Sequence, residues 1–75
     1  MTHTLTLTRD DNRMGHHYGE HLYMERVGAT VVKVEYLGTR DRHEAYDRAS
    51  ATAKLYGARL VDQRPHACLY GFSAD

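Results

Sequence analysis

The histidines are the first residues to weigh. Six occur in 75 residues, and two of them, His17 and His21, flank Glu20 in the run His17-Tyr18-Gly19-Glu20-His21. On a helix that spacing puts two imidazoles on one face, where both reach a single zinc ion and the glutamate activates the bound water. The neighbouring residues argue against a helix. Gly19 is a poor helix former, and the residues from Leu22 onward alternate like a strand. A third ligand would have to come from elsewhere, and so short a chain cannot build the broad cleft of such hydrolases. The run is read as loop histidines, with no catalytic residue, no metal ligand and no cofactor assigned.

The other chemistry-bearing types are scattered. His3, His43 and His66 have no fixed relation to the loop and read as solvated surface histidines. Cys68, between Ala67 and Leu69, reads as a small buried hydrophobe, since no base beside it would depress its pKa. One cysteine also excludes an intrachain disulfide framework and a zinc ribbon. The glycines are isolated and form no phosphate-cradling loop. Without a paired acid and base, the chain is not expected to be an enzyme.

Charge narrows the classes further. Ten Lys plus Arg balance ten Asp plus Glu. That balance excludes a strongly basic nucleic-acid module, a polybasic membrane peptide and a dense acidic DNA mimic. No apolar run approaches the ~20 residues of a membrane span. The start, Met1-Thr2-His3-Thr4, lacks the charge and apolar block of a signal peptide. A soluble cytoplasmic protein, with no membrane partner, is the expectation.

What remains is contact chemistry. Eight of the ten basic residues are Arg, and Tyr occurs six times; both types are favoured at interface hot spots. The candidate partner-binding residues are Arg13, His16, His17 and Tyr18 in a polar loop over residues 12–19, Tyr23 just after it, and Arg40 and Arg42 near a helix start. A rival reading makes Arg26, Lys33 and Arg59 readers of DNA, with Arg9 and Arg13 nearby. Zero net charge, and Glu25 and Glu35 on the same strands, weigh against it.

These residues must be positioned by few elements. A chain this short buries only about 60% of the surface its unfolded form exposes, and forms one domain over residues 1–75. Thr4-Leu5-Thr6-Leu7-Thr8 alternates with period two and predicts a half-buried strand. Two further β-rich runs, at residues 22–27 and 31–37, flank Gly28-Ala29 and predict a hairpin. Asp41 and Glu44 form a helix-capping pair. Ala45, Ala49, Ala53 and Tyr56 then recur on one face, and Gly57 suits the helix end. The helix is predicted over residues 41–56. A short strand follows at residues 58–63, and Pro65 precedes a last edge strand over residues 66–72. The expected fold is α+β, in the order β-β-β-α-β-β. A single helix packs on one face of an antiparallel sheet, and Leu5, Leu7, Val32, Val34 and Leu60 supply the bulk beneath the alanines.

The run from Arg42-His43-Glu44-Ala45 through Tyr56-Gly57-Ala58-Arg59-Leu60-Val61 resembles the helix-glycine-strand half of small bacterial sheet-plus-helix domains. As a type, a short Tyr-rich chain without a catalytic constellation resembles the phage-encoded anti-CRISPR inhibitors, several of which pair a small sheet with one helix. That resemblance implies a non-enzymatic protein that binds a CRISPR-Cas effector complex and blocks its DNA recognition. No motif is shared, so no residue role is carried over, and the balanced charge implies shape-matched contacts in place of DNA imitation. Two alternatives stand beside it. One is a DNA-binding accessory module, whose three strands and helix resemble phage integrase arm-binding domains. The other is a small homo-oligomeric interaction protein, pairing as a homodimer through the edge strand at residues 66–72.

Overall fold

Threonine and leucine alternate in the first strand, so its two faces differ chemically along its whole length. That strand, β1, spans His3–Arg9, in a computed structural model that describes residues 2–64. Strand β2, His21–Val27, runs antiparallel to β1 with Tyr23 opposite Leu7. A two-residue turn at Gly28 and Ala29 leads into β3, Thr30–Tyr36, which pairs antiparallel with β2. The turn needs its glycine: Gly28 sits at φ 62°, where a side chain is strained.

The helix, α1, spans Arg42–Tyr56 and is held at both ends. At the start the Glu44 amide donates to Asp41 Oδ1 at 2.8 Å, closing one of the orphan donors of the first turn. At the end Gly57 adopts the left-handed conformation and its N–H reaches the carbonyls of Ala53 and Lys54. From there the chain enters β4, Arg59–Asp62. The sheet order is β3-β2-β1-β4.

Among the described residues, one helix over a four-stranded sheet is an α+β arrangement, as the sequence implies. The sheet, however, is mixed and not purely antiparallel: β4 runs parallel to β1, with Leu60 beside Leu5. The cause is the crossover. Helix α1 carries the chain from the β3 edge over the sheet to the opposite edge, so β4 enters in the direction of β1. The strand expected at residues 66–72, with Pro65, His66 and Cys68, lies outside the described residues.

The core sits between α1 and the two central strands. Ala45, Ala49 and Ala53 are buried against Leu5, Leu7, Tyr23 and Leu37, with Ala58 and Leu60 packed at the margin. The helix packs on β1, β4 and β2, and its backbone does not come close to β3. This corrects one expectation. Val32 and Val34 are 53% and 52% exposed and do not belong to the core. Val34 pairs with Met24 and so shares the sheet face opposite the leucines, while the helix backbone is seated over the other strands and not over β3. Tyr56 also remains partly exposed at the helix end.

The alanine seam is tight, because small side chains let the helix backbone approach the leucines closely. Ala49→Leu is therefore expected to destabilise the protein by ~1–3 kcal/mol through overpacking. Urea unfolding checks this; an unchanged midpoint would show that the seam holds spare volume.

Candidate functional site

Strand pairing sorts the side chains into two faces. Residues directly opposite each other across a ladder lie on the same side of the sheet. On the helix side are Leu5, Leu7, Tyr23, Glu25, Lys33, Glu35, Leu60 and Asp62. On the other side three rows cross the strands. One row is Val31, Arg26, Thr4 and Arg59; the next is Val34, Met24, Thr6 and Val61; the third is Tyr36, Leu22 and Thr8. No helix covers this second face among the described residues.

The edge strand is the most open part of it. A register shift between Glu25 and Arg26 places an extra residue in β3, so Val31 and Val32 are both exposed and strict alternation is lost there. Val34 and Tyr36 continue the exposed apolar strip. Towards the middle Met24 and Leu22 are half-buried, and Thr6 is buried between Met24 and Val61.

Charge is divided between the faces. The strand-borne acids Glu25, Glu35 and Asp62 all lie on the helix side, and each has a partner there. Glu25 Oε2 is 2.7 Å from His3 Nε2, Lys33 Nζ is 3.0 Å from Glu35 Oε1, and Arg64 Nη2 is 2.8 Å from Asp62 Oδ2. The hydrogen bond from Arg64 holds the Asp62 carboxyl below the usual range. The open face instead carries Arg26 and Arg59, and neither meets a carboxylate among the described residues. The Nε of Arg26 is buried without a hydrogen-bond partner, and its Nη2 lies 3.9 Å from Met24 Sδ.

The histidine loop closes the opposite end of this face. The His17 ring stacks on Tyr36 with centroids 4.2 Å apart, and His17 Nδ1 is 3.2 Å from Glu20 Oε1. The Tyr36 hydroxyl donates to Asp10 Oδ2 at 2.9 Å, which raises the phenol pKa. Arg40 pins the loop from outside, donating from Nε and Nη2 to the Tyr18 carbonyl at 3.1 and 2.8 Å. Gly19 is required there: its φ is 85°, and an added Cβ would sit 3.1 Å from Arg40 Nε.

The seven residues singled out from the sequence thus meet different fates. Arg13, His16, His17 and Tyr18 are exposed on the loop. Arg40 is exposed but engaged with the loop backbone. Arg42 is half-buried, and its carbonyl accepts from Arg64 Nη1 at 2.7 Å. Tyr23 is a correction: at 1% exposure it is core and not a contact residue, because it pairs with Leu7 beneath the helix.

His21 is also not a loop histidine. It is buried at the start of β2, where Nδ1–H donates to the Thr39 carbonyl at 3.2 Å and Nε2 faces Arg64 Nη1 at 3.5 Å. It is therefore turned away from His17, which stacks at the far side of the loop. Among the described residues no group of three His, Cys, Asp or Glu is placed to hold a metal ion.

Met24, Val31, Val34 and Tyr36 escaped the contact set drawn from the sequence. The signal that could have found them is parity: Arg26 falls on the strand positions that Glu25 and Glu35 avoid. Of the three residues of the DNA reading, Arg26 and Arg59 do share a face, but Lys33 lies on the other, paired with Glu35. No family model, curated protein or solved structure matches this chain.

Burial and a hydrogen bond to Glu35 push the Tyr23 hydroxyl up to about 12 from 10.0. Between those values the folded protein holds a proton that the unfolded chain has released, so stability falls as the pH rises from 10.0 to about 12. Denaturation midpoints measured across that range should decline, and Tyr23→Phe should flatten the decline. An equally steep decline in Tyr23→Phe would contradict the assignment.

Proposed function

We propose that this chain is a non-enzymatic protein-binding domain that docks through its open sheet face. One observation carries the reading. An apolar strip from Val31 to Tyr36 is left exposed beside Met24 and Leu22, on a scaffold whose only described helix is committed to the other side. Exposed apolar area of this kind, rimmed by polar groups, is characteristic of interaction surfaces. His17 of the loop, stacked on Tyr36, stands at its end.

Within that class the partner to test first is a CRISPR-Cas effector complex, as the resemblance to anti-CRISPR inhibitors implies, with shape-matched contacts to a protein surface that block its DNA recognition. Balanced charge supports shape-matched contact over imitation of a nucleic acid. Two cations on the open face, with Lys33 turned away, give little support to the DNA-binding alternative.

The experiment is a titration of purified effector ribonucleoproteins with the full chain, read by their binding of target DNA. The expected result is a stable complex that prevents DNA recognition and weakens only modestly between low and physiological salt. Val34→Asp should cost at least ~2 kcal/mol of binding, about 30-fold, without unfolding the chain. No complex with any effector, or undiminished binding by Val34→Asp, would refute the proposal.

A further inference from the structure

The cationic end of the open face has a chemistry of its own. Arg26 and Arg59 flank Thr4 in one row across three strands, roughly 10 Å apart by strand spacing. Among the described residues no acid occupies a strand position on that face. The acids of the same strands are paired on the far side, so they cannot serve these guanidiniums without crossing the sheet. Arg26 is the unusual member. Its Nε is buried and makes no hydrogen bond, a state that costs free energy until an acceptor arrives.

A carboxylate meets that need. It accepts from the Nε and Nη2 edge of a guanidinium in two parallel hydrogen bonds, a geometry lysine cannot offer. Met24, whose sulfur lies against Nη2, has an unbranched side chain that can rotate aside and admit it. Val31, Met24 and Val34 then offer aliphatic contact beside the charged end.

We infer that Arg26, supported by Arg59, is a carboxylate-binding site, and that the open face takes a protein segment presenting Asp or Glu beside aliphatic side chains. This rests on the protein-docking reading and names its partner's chemistry. A nucleic acid fits less well. Among the described strand residues only Arg26 and Arg59 offer a cation on this face, the centre of the face is aliphatic, and Asp10 stands at its other end.

The test uses the full chain and three short capped peptides, Ac-(Glu-Leu)3-NH2 and its Gln and Lys counterparts, together with a 16-base-pair DNA duplex. Binding is followed by NMR at the Arg26 and Arg59 Nε–Hε groups and the Met24 and Val34 methyls. The Glu peptide is expected to shift these four residues and to bind at least tenfold more tightly than the Gln peptide, with no saturable binding of the Lys peptide. Arg26→Met, which keeps the aliphatic stem, should erase that preference while the amide spectrum stays folded.

Equal binding of the Glu and Gln peptides on this face would overturn the carboxylate site but leave the docking surface standing. Shifts confined to other surfaces, or no binding of any peptide, would overturn the carboxylate site and count against the surface as well. Duplex binding tighter than the Glu peptide, through the same two arginines, would assign the face to nucleic acid instead.

Discussion

The close seat of an alanine-lined helix on two leucines is the constraint from which the rest of this architecture follows. Ala45, Ala49 and Ala53 bring α1 near enough to bury Leu5 and Leu7 completely. A single helix seated so closely covers β1 and β4 and part of β2. Among the described residues no element covers β3 or the far side of the sheet. The scaffold therefore ends with one side closed and one side open, and its surface chemistry is arranged accordingly.

That division explains where the charges sit. Beside the helix, carboxylates on the strands can be partnered at once: Glu25 by His3, Glu35 by Lys33 and the Tyr23 hydroxyl, Asp62 by Arg64. Arg64 is itself buried, and it joins the end of β4 to the Arg42 carbonyl and to His21. The polar groups on this side are thus used up in holding the fold. On the other side Arg26 and Arg59 face no acid among the described residues; Thr4 lies between them, and Met24, Thr6 and Val61 form the next row.

Much of this was readable from residue types, and the limits are physical. The helix was legible because three independent signals agree: the Asp41–Glu44 pair at the start, the alanine spacing, and Gly57 at the end. Its observed bounds, Arg42–Tyr56, follow from them. The two faces of β3 were legible too, since Val34 and Tyr36 alternate with Lys33 and Glu35.

Which face would be buried was not. Alternation reports that two faces differ, but coverage depends on where a helix lands, and this one stops short of β3. Lys33 and Glu35 can therefore lie on the helix side and stay solvated, while valine lies on the bare side. Tyr23 misled for the same reason, because its neighbours Met24 and Glu25 left the buried face of β2 ambiguous. The burial of His21 depends on Arg64, 43 residues away, and no local pattern could announce it. The parallel entry of β4 likewise follows from the path of the crossover and not from anything within the strand.

The central claim is that the sheet face carrying Met24, Val31 and Val34 is left open by the helix and the other described residues. It can be measured directly by recording methyl NMR spectra with a soluble paramagnetic agent, which broadens resonances according to their exposure. The methyls of Val31, Val34 and Met24 should broaden strongly, and those of Leu5, Leu7 and Ala49 should stay sharp. Val34 methyls as well protected as those of Leu7 would contradict the account, because the face would then be covered and its chemistry already spoken for.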